Sequence, residues 1–203
     1  MKAGIIDYGA GNLKNVARAL EQTGFIPKLI ENPLALGSPE VLVLPGQGHF
    51  GQASSALTDS GLADLLRNWL GEGKPFLGIC LGLQLLFGGS EEAPGTAGLA
   101  RLSGTVTRLQ EAKVPHMGWN TVETSPEHPF HSLLAGRHFY FVHSYMAPPL
   151  GGQGLTTYGN TIFTTLYVEE QLIACQFHPE KSGSAGLRFL EQVRSYLTAR
   201  SPG

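Results

Sequence analysis

The sequence contains no long hydrophobic run. None of its apolar segments approaches the roughly 20 residues that a helix needs to cross a bilayer. The start of the chain, MKAGIIDYG, lacks the apolar core and the small-residue cleavage site of a signal peptide, because Asp7 follows directly after a short apolar run. We therefore expect a cytosolic protein that does not enter a membrane.

The chain also has few cysteines and a small net charge. The chain has two cysteines, Cys80 and Cys175, too few for a secreted scaffold held by disulfides, although a bond between these two stays open. The formal net charge of -2 argues against nucleic acid or an anionic membrane as a partner, because both require a basic surface. The sequence has no P-loop, dinucleotide fingerprint or metal-ligand spacing. We expect no cofactor and no metal.

The composition is that of a globular protein. Hydrophobic residues make up 42% of the chain and charged residues 15%, which allows a sizeable core. A length of 203 residues fits one domain, so we expect residues 1–203 to form a single unit.

The first half of the chain alternates short apolar runs with helical patterns. Apolar residues at helical spacing run from Leu13 to Leu20 and from Leu62 to Trp69. Four runs predict strands: residues 2–7, 26–30, 41–44 and 76–79. This alternation predicts right-handed βαβ units and a doubly wound, mostly parallel sheet with helices on both faces.

The second half is richer in strand patterns. A last helix is predicted over residues 185–199, and residues 88–98 and 147–154 are typical of loops. The predicted strands of this half are residues 104–108, 120–124, 139–143, 161–168 and 172–177. We expect them to form β-rich additions to the α/β core.

The segment GICLG, residues 78–82, is the strongest local signal for chemistry. It follows a predicted strand and begins a helix, which is the pattern of a nucleophile elbow with Cys80 as the nucleophile. A cysteine at a helix N-terminus is favoured as the thiolate. In isolation the pattern is equally compatible with a buried structural cysteine.

The segment QFHPE, residues 176–180, ends a predicted strand and supplies a base. A thiol nucleophile needs a group that takes and returns a proton, and His178 can do both near neutral pH. Glu180 is close enough in the chain to orient the imidazole. Taken alone, a strand-end histidine with a solvated glutamate is the simpler interpretation. Cys175 shares one strand face with Ile173 and Phe177 by the alternation of side chains along a strand, so we expect it in the core.

A third segment, LPGQG, residues 44–48, could bind the oxyanion of an acyl intermediate. It ends a predicted strand with a flexible turn at Gln47 and Gly48, whose N–H groups could face the elbow. The N–H group of Leu81 would be the second donor. A plain strand-to-helix turn is an equal alternative.

In this order, PGQG, GICLGLQ and FHPE resemble the class I glutamine amidotransferase family. Further segments resemble one group within this family, the glutaminase subunits of imidazole glycerol phosphate synthase, an enzyme of histidine biosynthesis. These segments are DYGAGN (residues 7–12), VPHMGWN (114–120), YFVHSY (140–145) and PEKS (179–182). The resemblance extends from residue 4 to the last helix. It implies that Cys80 is the nucleophile, His178 the general base and acid, and Glu180 its orienting partner.

The resemblance also implies binding roles. The positions that would hold glutamine are Gly48, Gln84, Glu92, Ser144 and Tyr145, and those that would face a partner subunit are Asn12, Trp119 and Lys181. Simpler interpretations of the last three are an N-cap, a core aromatic and a solvated charge. Gln47 departs from the family pattern, which has valine there. Backbone N–H groups would be the donors, so the departure should be tolerated.

The implied partner is a (β/α)₈ cyclase subunit that uses the ammonia. It would convert a phosphoribulosyl formimino aminoimidazole carboxamide ribonucleotide to imidazole glycerol phosphate and an aminoimidazole carboxamide ribonucleotide. Alternatives are a glutaminase for anthranilate, guanylate or pyridoxal phosphate synthesis, a non-catalytic interaction subunit of the same fold, and a general cysteine hydrolase. The segments VPHMGWN and HPEKS argue against a glutaminase for another pathway. The complete set of three catalytic residues argues against a non-catalytic subunit.

Overall fold

A computed structural model describes residues 1–200. Its strands, in chain order, are β1 (Lys2–Ile6), β2 (Ile26–Ile30), β3 (Val41–Gly46), β4 (Phe76–Cys80), β5 (Thr107–Arg108), β6 (His116–Thr121), β7 (His138–His143), β8 (Tyr145–Met146), β9 (Gly154–Tyr158), β10 (Thr161–Glu169) and β11 (Leu172–Cys175). Its α-helices are α1 (Leu13–Gln22), α2 (Phe50–Asp59), α3 (Leu62–Gly71), α4 (Leu81–Gln84), α5 (His131–Leu134) and α6 (Gly183–Arg200). Single 3₁₀ turns lie at Pro33–Ala35 and Pro179–Lys181.

Seven strands form the central sheet, in the order β2-β1-β3-β4-β11-β10-β9. The first five are parallel to one another, and β10 and β9 extend the sheet in antiparallel pairing. Two small antiparallel pairs, β5 with β8 and β6 with β7, lie outside it. This arrangement confirms the predicted mostly parallel sheet with β-rich additions.

Two apolar layers cover the faces of the sheet. Along β3, Val41 and Val43 face the layer that contains α1 and α6, whereas Leu42 and Leu44 face the layer that contains α2, α3 and α4. All four side chains are fully buried, as strands covered on both faces require. The predicted doubly wound architecture is therefore confirmed.

Several predicted boundaries were wrong. The strand expected at residues 120–124 begins earlier, because the whole of β6 pairs with β7 from His116↔His143 to Thr121↔His138. The strand expected at residues 104–108 is only Thr107–Arg108. Strand β9 and helix α2 were not predicted, and the helix after Cys80 has only four residues.

The two cysteines, Cys80 and Cys175, are both free and buried. The predicted core position of Cys175 is confirmed, since its side chain is fully buried. Within residues 1–200, no helix combines the length and the apolar character needed to cross a membrane.

Candidate active site

Cys80 lies at a sharp turn between β4 and α4. Its backbone has φ 53° and ψ -104°, an unfavourable conformation for a residue with a side chain. The glycines on either side permit the turn, since a Cβ atom on Gly82 would lie 2.0 Å from the carbonyl oxygen of Leu44. A Cβ atom on Gly78 would lie 3.0 Å from the backbone of Gly82. The predicted elbow is therefore present.

His178 and Glu180 form a buried pair at the end of β11. Nδ1 of His178 lies 2.8 Å from Oε1 of Glu180, and both side chains are at most 2% exposed. Burial lowers the pKa of His178, but the nearby charges of Cys80 and Glu180 outweigh it and raise that pKa above the ordinary value. The other ring nitrogen, Nε2, is buried and makes no hydrogen bond to any of residues 1–200. It is the ring atom available for proton exchange.

The nucleophile and the base line one cavity of about 410 Å³ at the carboxyl edge of the parallel strands. Ligands of open α/β sheets bind at this edge. Glu180 lies behind His178 and does not line the cavity. The lining residues come from several segments and are Gln47, Gly48, Cys80, Leu81, Gln84, Glu92, Pro115, Val142, His143, Ser144, Tyr145, His178 and Lys181.

The turn after β3 lies beside the elbow. Gly46 pairs with Cys80 in the sheet, and a Cβ atom on Gly46 would lie 2.6 Å from Cβ of Leu81. Gly48 has φ +109°, which glycine adopts without strain. Leu81 is the first residue of α4, so its N–H group has no acceptor within that helix. Both predicted donor positions thus line the cavity next to Cys80.

Gln84 lies one helical turn after the nucleophile and is 4% exposed. Its Nε2 donates hydrogen bonds to the carbonyl oxygen of Tyr145, at 2.8 Å, and to Oε1 of Gln176, at 3.1 Å. Neither hydrogen bond uses its Oε1, and Gln84 lines the cavity. Glu92 also lines the cavity, but one carboxylate oxygen, Oε2, accepts a hydrogen bond from the N–H group of Phe50 at 2.7 Å. That oxygen therefore caps the start of α2.

Comparison with known proteins agrees with this geometry. The family model described as class I glutamine amidotransferase matches residues 4–193 of the chain. The chain belongs to this family.

Several relatives of this amidotransferase are similar over nearly their whole length. It is 49% identical over 198 residues to the imidazole glycerol phosphate synthase subunit HisH of Thermus thermophilus, covering 97% of this chain and 98% of that protein. The HisH subunit of Thermococcus kodakarensis is 44% identical, with 94% and 97% covered. A longer Schizosaccharomyces pombe protein, imidazole glycerol phosphate synthase hisHF, is 41% identical, with 98% of this chain and 38% of that protein covered.

Solved structures share the fold of the amidotransferase. A crystal structure of a glutamine amidotransferase superposes with a TM-score of 0.74 at 20% identity, covering 95% of this chain and 98% of that one. The structure of PurLQS from Thermotoga maritima gives a TM-score of 0.71 at 19% identity, with 97% and 98% covered.

Three residues that hold the amidotransferase site together were not predicted. Gln176 is fully buried and its Nε2 lies 3.5 Å from Sγ of Cys80. The hydroxyl of Ser182 donates to the carbonyl oxygen of His178, at 2.7 Å, and accepts from the N–H group of Tyr140, at 2.9 Å. The Tyr8 hydroxyl donates to the carbonyl oxygen of Pro45, at 3.2 Å. Each lies within a quoted motif, but only their contacts reveal these roles.

The structure places the three predicted partner-facing residues of the amidotransferase differently. Lys181 lines it, whereas Trp119 and Asn12 lie outside it. Trp119 is 57% exposed, so the alternative of a core aromatic is wrong. Asn12 is exposed and caps α1, its side chain accepting from the N–H group of Asn15 at 3.3 Å. Met117 is also exposed and lies two residues before Trp119, on the same face of β6.

Proposed function

We propose that this chain is the glutaminase subunit of imidazole glycerol phosphate synthase. The observation that carries the proposal is the single cavity that holds Cys80 at a nucleophile elbow, Nε2 of His178, and the amide of Gln84. The chain would hydrolyse glutamine to glutamate and ammonia and pass the ammonia to a cyclase subunit. The HisH names of its relatives support that assignment.

The reaction begins with attack on the side-chain amide of glutamine. The Cys80 thiolate adds to the carbonyl carbon, and the tetrahedral oxyanion accepts hydrogen bonds from N–H groups of Gly48 and Leu81. Protonated His178 donates its Nε2 proton to the nitrogen as the C–N bond breaks. Ammonia leaves, and a glutamyl thioester remains on Cys80.

Hydrolysis of the thioester restores the enzyme. Water attacks the thioester carbon while Nε2 of His178 accepts a proton from it. The C–S bond then breaks, releasing glutamate and the Cys80 thiolate. Glu180 accepts the hydrogen bond from Nδ1 in both stages, so it fixes the ring orientation and favours the imidazolium.

Substrate glutamine is held by groups around Cys80. The Oε1 atom of Gln84 and the backbone of Gly48, Ser144 and Tyr145 would bind its polar groups, and these residues line the cavity. The Glu92 carboxylate would attract the α-ammonium group, with Oε1 in contact and Oε2 remaining on the N–H group of Phe50.

The acceptor of ammonia would be a (β/α)₈ cyclase subunit docked over the cavity. Its substrate would be the formimino ribonucleotide, and its products imidazole glycerol phosphate and the aminoimidazole carboxamide ribonucleotide. Apolar side chains support a passage there: Pro115 and Val142 line the cavity, and Met117, which pairs with Val142, is 59% exposed. An apolar passage favours neutral ammonia over ammonium. Trp119, Lys181 and Asn12 would contact the cyclase, and the complex would reside in the cytosol.

The test is a glutaminase assay with and without the purified cyclase. We expect slow hydrolysis by the isolated chain and a marked acceleration when the cyclase and its ribonucleotide ligand are present. Cys80→Ala should abolish hydrolysis but still form the complex. The matched control is Cys175→Ala, which removes the other buried thiol and should remain active. Equal rates with and without the cyclase would overturn the proposed partnership.

A further inference from the structure

The side-chain amide of Gln176 contacts the sulfur of the nucleophile. Its Nε2 lies 3.5 Å from Sγ of Cys80, an ordinary distance for an N–H donor and a sulfur acceptor. Gln176 is fully buried, so its side-chain amide depends on protein groups for its hydrogen bonds. The register of the sheet places it there, because Cys175 pairs with Ile79 and the next residue on each strand is Gln176 and Cys80.

A fixed backbone acceptor determines which end of the amide faces the sulfur. The carbonyl oxygen of Tyr145 can only accept, so the atom of Gln84 that lies 2.8 Å from it must be Nε2. The same nitrogen lies 3.1 Å from Gln176, so the atom it meets must be the acceptor Oε1. Nε2 of Gln176 is therefore the atom directed at Cys80. Turning either amide would bring two like groups together.

Two buried histidines extend this chain of hydrogen bonds beyond Tyr145. Nδ1 of His143 donates to the Tyr145 carbonyl oxygen at 2.9 Å, so Nε2 of His143 must accept from Nδ1 of His116, at 3.0 Å. Nε2 of His116 in turn faces the side-chain amide of Asn120 at 3.4 Å. Burial lowers the pKa of both rings, so both are neutral, as this donor and acceptor pattern requires. Every contact from Asn120 to Cys80 thus pairs a donor with an acceptor, and the Tyr145 carbonyl oxygen accepts from both His143 and Gln84.

We propose that Gln176 is a further catalytic residue, whose Nε2–H group donates a hydrogen bond to Sγ of Cys80 and stabilises the thiolate. This inference rests on the proposed glutaminase function. The hydrogen bond is strongest when the sulfur is charged, in the attacking thiolate and again as the C–S bond of the thioester breaks. It therefore raises the fraction of reactive thiolate and assists the sulfur as a leaving group.

The experiment measures the alkylation rate of Cys80 by iodoacetamide against pH in the isolated full-length chain. Peptide mass spectrometry distinguishes Cys80 from Cys175. In Gln176→Met, which keeps the size but removes the donor, we expect the pH of half-maximal rate to rise by about one to two units. We expect kcat for glutamine hydrolysis to fall about tenfold to hundredfold, with a much smaller change in KM. A residue that only fills space would not move the pH profile.

Two more variants keep the inference falsifiable. Gln22→Met changes an exposed glutamine at the end of α1 and should leave the alkylation profile unchanged. Gln176→Glu retains the acceptor for Gln84 and places a carboxylate beside the sulfur, so it should also move the profile to higher pH. If Gln176→Met does not fold, the alkylation profile of Gln176→Glu tests the inference in its place. An unchanged profile in either folded Gln176 variant overturns the inference, even when the wild-type chain hydrolyses glutamine. If the wild-type chain does not hydrolyse glutamine, the proposed function is wrong. The alkylation profiles still test whether Gln176 stabilises the thiolate of Cys80.

Discussion

Gly82 lies directly against Leu44: a Cβ atom on Gly82 would stand 2.0 Å from the Leu44 carbonyl oxygen. The contact joins the turn that carries the nucleophile to the strand that precedes the proposed oxyanion donors. Any side chain at position 82 must push these two segments apart. The close approach therefore sets both the stability of the sheet edge and the geometry of the site.

Gly82→Ala should lower the free energy of unfolding by about 1–3 kcal/mol or more, because the added methyl group cannot be accommodated without a backbone shift. Denaturant unfolding of the purified chain measures the change. The control is Gly71→Ala at the end of α3, where nothing lies within 4 Å of the added Cβ. A Gly82→Ala protein as stable as the control would contradict the close packing of the elbow.

Glu180→Gln should reduce kcat for glutamine hydrolysis roughly a hundredfold or more, because the neutral amide no longer stabilises the imidazolium and can favour the wrong tautomer. Steady-state kinetics with the cyclase present measures the effect. Glu191→Gln changes an exposed glutamate on α6 and should retain wild-type kcat. Equal activity of both variants would show that Glu180 does not orient His178.

The stability of the protein should fall in mild acid because His116 and His143 are buried as neutral rings. Burial lowers their pKa values from 6.5 to about 4 and about 3. Between these values and pH 6.5, the unfolded chain binds more protons than the folded one, so this contribution is complete above about pH 6.5 and is lost as the pH falls towards 4 and 3.

Denaturant unfolding between pH 7 and pH 4 measures this dependence. A double variant, His116→Gln with His143→Gln, should show a shallower fall of the unfolding free energy with decreasing pH, whatever its stability at pH 7. His138→Gln, which changes an exposed histidine on β7, should keep the wild-type slope. A slope in the double variant as steep as that of the wild type would place the acid-sensitive groups elsewhere.

Trp119→Ala should weaken binding to the cyclase by about 2 kcal/mol or more, since large exposed aromatic side chains are frequent hot spots of interfaces. Isothermal titration calorimetry with the purified cyclase measures the dissociation constant. Leu34→Ala removes another exposed apolar side chain, one that is 97% exposed after β2, and should bind as the wild type does. Equal losses in both variants would argue against a specific role for Trp119.

Much of the fold follows from local sequence patterns. The apolar runs that became β1 to β4 and the helical spacing of α1, α3 and α6 were correctly assigned, because strands covered on both faces and amphipathic helices leave clear periodic signals. Strand β9 and helix α2 left weaker signals. The strand predicted at residues 120–124 was given the wrong bounds, because pairing with β7, and not local preference, decides where β6 begins.

The sequence by itself determined the chemistry of the site. The glycines around Cys80 and the segment from His178 to Glu180 indicate a nucleophile and its base from residue types and spacing alone. Only the tertiary structure decided which groups meet. Gln176 and Cys80 are 96 positions apart in the chain, and their contact exists because β11 pairs with β4 in one particular register. The physical reason is that strand pairing depends on burial and hydrogen bonding across the whole sheet, which no local pattern encodes.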